Sequence, residues 1–289
     1  MAAASPLPVL LSLLGASLFG AQAVLARRAL RHLDAQTGAM VTILASCTIF
    51  WLIFVWRAPW AQWHSPALWV FLSAGLLHPA FSMWLSFEGN RRMGATVSAT
   101  ISSTTPLIAA AAAIGMLGET ISTQVLAGTL AVVGGIIVLS WSRKGARGWA
   151  HSALVFPFGA SLVRAFQTVW GRYGLILLPA PLFAATLSFS VSGLLSVLAY
   201  RLRTGRLPTG LPRAGLLWAG LGGLCVAGAI LSMYTALSVS NVVVVSPIIN
   251  SFPLFTLAWS LLFRQERISP RIGVSVLLVV CGIALIGLR

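Results

Sequence analysis

The chain has 289 residues, of which 58% are apolar and only 8% charged. A soluble domain carries about 25% charged residues, so composition excludes a soluble globular fold, a disordered chain and a secreted disulfide scaffold, and leaves a polytopic membrane protein. The 19 Lys and Arg against 4 Asp and Glu do not mark a nucleic-acid binder. They sit in short clusters between apolar runs, where basic residues set membrane topology through lipid headgroups and the insertion machinery.

A membrane-spanning helix needs about 20 mostly apolar residues. Charged and turn-rich breaks divide the chain into ten such runs, at 7–26, 37–56, 67–87, 95–117, 123–141, 153–170, 180–200, 214–236, 242–263 and 272–288. The pattern predicts an all-α membrane protein of ten transmembrane helices. The first run has no basic residue before it and further apolar runs after it, so it reads as a span rather than a cleaved signal. The third run carries His78-Pro79 at its middle, then Trp84, and ends at Glu88. In the fourth, Ser98, Ser102 and Thr105 form one polar stripe, and Ser246 and Asn250 do the same in the ninth. The sixth run holds Arg164 and Gln167, and Gln22 has a nearby place in the first. Cys47, Cys225 and Cys281 each lie inside an apolar run with no paired spacing, and read as small packing residues.

The chain repeats itself. Ser102–Gly135 aligns without a gap on Ile249–Gly282 at an offset of 147, matching Pro106 with Pro253, Glu119 with Glu266, Ser122 with Ser269 and Gly135 with Gly282. A second pair opens each half, GASLFGAQAVLARR from Gly15 and GASLVRAFQTVWGR from Gly159. A third pairs Ser82-Met83-Trp84 with Ser232-Met233-Tyr234. Two five-helix units follow, 1–145 and 150–289. Five is odd, so the second unit must insert upside down relative to the first. Inverted repeats are an architecture of secondary transporters, because exchanging the conformations of the halves exchanges the side that is open.

Charge sets an expected orientation. Fifteen basic residues fall in the loops on one side, while Arg57, Arg172 and Arg289 fall on the other and Arg164 lies within a run. The richer side is expected to be cytoplasmic, with both termini facing away from it.

These residues resemble the EamA type of the drug/metabolite transporter superfamily, over roughly 9–141 and 156–288. The most specific resemblance is an apolar helix containing a Pro, then Gly118-Glu119 or Gln265-Glu266, then a glycine-containing helix. The family usually carries Gly-Glu in both halves, and a Trp before a small residue midway in the first and sixth helices. Here the second half has Gln-Glu, and the two helix positions read Phe19-Gly20 and Arg164-Ala165. The resemblance implies a ten-helix transporter of the bacterial inner membrane, drawn with both termini cytoplasmic, opposite to the charge bias. It leaves open amino acids, other metabolites, nucleobases and drugs as substrates.

An Arg at mid-membrane costs about 2.5–3.5 kcal/mol on insertion scales. Arg164 is therefore expected to face the bundle interior, where its planar fork suits a carboxylate. Pairing with Glu88 or with helix-end carbonyls is the alternative. Asn250, Gln22, Gln167 and Ser102 are expected to orient a substrate, and Trp84 and Tyr234 to stack on it or anchor at an interface. His78 is a candidate for a coupling proton, with Glu88 sharing the cavity or pairing with Arg91 or Arg92. Glu119 and Glu266 read as structural, near helices begun by Ser122 and by Ser269-Pro270.

No motif for nucleotide binding, metal ligation or nucleophilic catalysis is present, so no enzyme activity, metal or cofactor is expected. The expected partners are a small-molecule substrate and membrane lipids, not nucleic acid. The oligomeric state stays open, a monomer included. The reading is a gradient-driven exporter of an amino acid or related carboxylate. A drug or cation exporter, a flippase for a lipid-linked head group and a non-transporting scaffold are the alternatives.

Overall fold

The computed structural model describes residues 6–57, 60–77, 81–82, 85, 88–89, 92, 101–140, 151–262 and 270–288. Among these the regular structure is entirely helical, with no strand. The first half contains α1 (Leu7–Ala29), α2 (Ala35–Arg57), α3 (Ala67–Leu77), α4 (Thr105–Leu117) and α5 (Thr123–Ser140). The second contains α6 (Val155–Leu177), α7 (Pro181–Thr204), α8 (Arg213–Val239), α9 (Val242–Ile249), α10 (Phe252–Leu262) and α11 (Pro270–Gly287). Among the described residues six spans are long and apolar enough to cross a membrane: α1, α2, Ser152–Leu177, α7, α8, and α9 with α10 taken together.

The ends have local causes. Pro8, Pro106 and Pro181 sit in first turns, where a missing N–H costs nothing. Asp34 accepts the N–H groups of Gln36 and Thr37 and caps α2. Ser122 accepts the N–H of Val125 at the start of α5. Gly118 and Gly205 close α4 and α7 at φ of 66° and 75°, a left-handed turn that glycine adopts without a Cβ clash.

Two expected boundaries are corrected. The ninth run is not one helix: Pro247 and Pro253 supply no N–H, and the chain turns at Asn250–Ser251 between α9 and α10. The sixth helix does not stop at 170 but continues to Leu177, so Arg172 is a helix residue and not a loop cation.

In a membrane the packing force between helices is van der Waals contact and hydrogen bonding, not exclusion of water. Small residues therefore decide the seams. On α2, Thr42 and Ser46 donate their hydroxyls to the carbonyls of Ala219 (3.2 Å) and Gly223 (2.9 Å) on α8. On α7, Ser188 and Ser192 donate to Phe71 (3.0 Å) and Gly75 (2.7 Å) on α3. Exchanging α2 with α7 and α3 with α8 carries one set onto the other. The last helices of the two halves also pair. Ser275 donates to the Gly135 carbonyl at 2.8 Å, and a methyl on Gly128 would stand 2.6 Å from the Gly282 carbonyl. The partner number falls on α11 as it rises on α5, so these helices run antiparallel. Phe50, Phe54, Phe71 and Phe183 fill the core between α2, α3 and α7, with the Phe54 and Phe183 rings stacked at 5.9 Å.

Candidate substrate site

Both halves break a helix at the same place, and the breaks are built alike. In the first half, the Thr104 N–H (3.1 Å) and hydroxyl (2.7 Å) both donate to the Ile101 carbonyl. In the second, the Ser251 N–H (3.1 Å) and hydroxyl (2.6 Å) both donate to the Ile248 carbonyl. A tight turn then carries the chain on, from Thr104 to Leu107 and from Ser251 to Leu254. The cause is the matched proline. Pro106 cannot serve the Ser102 carbonyl, so the Thr105 hydroxyl does, at 2.7 Å. In the second half Phe252 replaces Thr105 and has no hydroxyl to offer Ile249.

Asn250 occupies the second break and is part-buried. Its Nδ2 donates to the Ser246 carbonyl at 2.8 Å and lies 3.4 Å from the Ser246 hydroxyl. The stripe expected from Ser246 and Asn250 is thus a real contact. Its amide folds back on the helix through nitrogen, leaving the Oδ1 acceptor for a partner.

Helix α1 lies against this break. A methyl on Gly15 would stand 2.7 Å from Ile249 Cδ1, and one on Gly20 2.7 Å from the backbone of Phe255 and Thr256. Phe19 meets Phe252 edge-on at 6.3 Å. The repeat places Arg164 on α6 where α1 has Gly20. One half closes backbone to backbone at that level, and the other carries a guanidinium. Arg164 is the tenth of the 23 residues of α6 and part-buried, and α6 packs mainly on α4 and α3, less on α8, and only touches α9.

A second charged feature escaped the sequence. Glu119, only 9% exposed, accepts the N–H groups of Val242 (2.9 Å) and Val243 (3.1 Å). Its structural role is as expected, but the helix it serves is α9 of the other half, not α5. Arg172 faces Glu119 electrostatically and donates to the Leu237 carbonyl at the end of α8. No sequence signal pointed there: Asn241 before α9 is itself a favoured capping residue, yet it makes no side-chain cap bond.

A model of the EamA-like transporter family matches residues 6–141 and again 151–288. The chain belongs to the EamA-like transporter family. That places it in the drug/metabolite transporter superfamily. No curated protein matches the sequence. Among solved structures, one described as "Crystal structure of protein" superposes with a TM-score of 0.81 at 16% identity, over 96% of this chain and 95% of the other. That likeness shows the fold.

The remaining candidates of this EamA-like transporter divide. Gln167 donates to the Tyr234 hydroxyl at 2.9 Å, and Tyr234 also bonds the Ser188 side chain. Tyr234 is 1% exposed, so this chain of bonds ties α6, α8 and α7 together, and the ring offers no open face for stacking. Gln22 is part-buried beside Gly222 of α8, and Ser102 is part-buried at the first break. Glu88 forms an ion pair with Arg92, whose guanidinium lies 4.3 Å from the Phe156 ring centre. His78 and Trp84 lie outside the described residues, as do Ser98 and Glu266.

Proposed function

We propose that this chain is a gradient-driven secondary transporter that exports a small carboxylate-bearing metabolite, an amino acid fitting best, by alternating access between two inverted five-helix repeats of the bacterial inner membrane. The observation that carries this reading is the pair of matched helix breaks, at Ser103–Thr104 and Asn250–Ser251. Interrupted helices expose backbone polar groups to a ligand at mid-membrane depth, where only a protein-lined cavity tolerates them. The exchange of hydrogen bonds between α2–α8 and α7–α3, and the antiparallel α5–α11 pair, support inversion.

In this reading Arg164 holds the carboxylate with its planar fork. Asn250 receives the ligand's donor on Oδ1, and Gln22 and Ser102 line the path. Trp84 stacks on the ligand, and His78 carries the coupling proton, since Glu88 is engaged by Arg92. Gln167 and Tyr234 hold the site's helices in place rather than touch the ligand. The matched termini lie on the side opposite the arginine-rich loops.

The test is thermal stability of purified wild type and Arg164→Ala against amino acids, organic acids, nucleobases and cationic drugs. A ligand of the folded state raises the melting temperature. Carboxylates are expected to stabilise wild type and not the variant. Stabilisation of both by cations alone would replace this reading with a drug exporter.

A further inference from the structure

Two arginine-bearing helix–helix junctions from opposite halves of the chain meet at one end of the bundle. The last turn of α1 and the turn after it bring Arg27, Arg28 and Arg31. The last turn of α7, the loop after it and the first residue of α8 bring Arg201, Arg203, Arg206 and Arg213. Their meeting is held by specific contacts. The Arg28 guanidinium lies 4.7 Å from the Trp218 ring centre, and Arg203 donates to the Gln36 side chain. Beneath them Ala29, Leu33 and Ala219 form a small buried cluster. A methyl on Gly215 would stand 2.6 Å from Leu33 Cγ, so α8 and the α1–α2 turn are in direct contact.

The two segments, 27–36 and 201–213, therefore bring seven guanidinium groups and one carboxylate, that of Asp34. Asp34 is committed to the N–H groups of Gln36 and Thr37 and to the Thr37 hydroxyl. Arg31, Arg201 and Arg206 are exposed. Apolar side chains are interleaved with them, and they are exposed too: Leu30 at 45%, Leu202 at 78% and Leu207 at 52%. Water rewards the arginines and penalises the leucines. The bilayer interface suits both, because leucines sink to the acyl boundary while guanidinium groups reach the phosphates above it. A guanidinium fork also matches two phosphodiester oxygens at once.

We propose that this end of the bundle is a binding site for anionic phospholipid headgroups, straddling the seam between the two halves. A lipid held by both junctions ties α1–α2 to α7–α8. It therefore favours whichever conformation keeps those junctions together. The proposal needs the chain to lie in a membrane and does not depend on the substrate.

The test titrates purified full-length protein in detergent with phosphatidylglycerol, with phosphatidylcholine and with glycerol phosphate alone, reading the melting temperature. Only phosphatidylglycerol is expected to raise it, and high salt is expected to abolish the rise. Each arginine near an anionic surface contributes about fivefold in affinity, so Arg31→Gln/Arg201→Gln/Arg206→Gln should weaken the titration midpoint on the order of 100-fold. Leu202→Ser/Leu207→Ser, with every charge kept, should also weaken it. Equal stabilisation by phosphatidylcholine would overturn the site. Equal stabilisation by glycerol phosphate would make it a free-phosphate site instead. If the triple variant does not fold, salt-insensitive stabilisation of wild type refutes the proposal by itself.

Discussion

Glu119 and Val242 are 123 residues apart in the chain and 2.9 Å apart in space, carboxylate to backbone N–H. The contact joins the turn after α4 in one half to the first residue of α9 in the other. It places a negative charge on the positive end of a helix that has no side-chain cap of its own. Glu119→Ala leaves the Val242 and Val243 N–H groups without acceptors. Buried, unmade bonds of this kind cost about 1–3 kcal/mol. Glu119→Gln keeps one acceptor and loses the charge, and is expected to cost less. Denaturant unfolding in detergent should rank wild type above Gln above Ala. Equal stability of all three would show that the contact contributes nothing.

How much of this was legible in the sequence depended on distance along the chain. Ten apolar runs were visible because hydropathy is local. The repeat was visible because Pro106 and Pro253, or Gly135 and Gly282, are read by alignment alone. The matched prolines even marked the two breaks, though the run 242–263 reads as one helix because two polar residues, Asn250 and Ser251, do not end a run that is apolar on both sides. Arg172 reads as a loop cation in the sequence because its partners, Leu237 and Glu119, lie 65 and 53 positions away. Tyr234 and Gln167, read as candidate ligand contacts, are 67 positions apart, so composition shows nothing of the bond between them. In the fold they meet at 2.9 Å.

The seams make a prediction about glycines that composition cannot make. A methyl on Gly75 would stand 2.4 Å from the Ser188 carbonyl, and one on Gly223 2.8 Å from the Thr42 carbonyl. These are backbone atoms and cannot swing aside. Gly75→Ala and Gly223→Ala should each destabilise by about 1–3 kcal/mol through overpacking. Gly115 and Gly220 lie in helices with nothing within 4 Å of such a methyl. Alanine there removes unfolded-state entropy and should stabilise by about 0.4–1 kcal/mol. Melting temperatures of the four single variants should therefore fall into two groups of opposite sign, and a common sign would contradict the packing described.

Asp34 supplies a pH dependence. Burial pushes its carboxyl up, but bonds from the Thr37 hydroxyl, the Thr37 N–H and the Gln36 N–H outweigh that and hold it below the ordinary carboxylate range. A lowered folded value means the stabilisation is complete above the unfolded value of about 3.9 and is lost as pH falls through the folded one. Stability should fall on acidification below about pH 4 partly for this reason. Asn caps a helix about as well as Asp and does not titrate, so Asp34→Asn should flatten the acid limb of the melting curve without lowering stability at neutral pH. Superimposable acid limbs would place the acid sensitivity elsewhere.

Arg164 allows charge and shape to be separated. Arg164→Lys keeps a cation on α6 and loses the fork, while Arg164→Ala loses both. Hydrogen bonds to a charged group are worth about 1.5–3 kcal/mol, so removing the guanidinium should weaken a carboxylate ligand by roughly 10- to 150-fold. Lysine should recover part of that loss, because it restores the charge without the two-point geometry. A neutral ligand should bind all three proteins alike. The variants are compared at matched folding, checked by melting without ligand, because taking a guanidinium out of a membrane helix also relieves its insertion cost. If carboxylates bind wild type and Arg164→Ala with equal affinity, the guanidinium serves the helix and not the ligand. The search for the carboxylate's partner then moves to Asn250 and the second break.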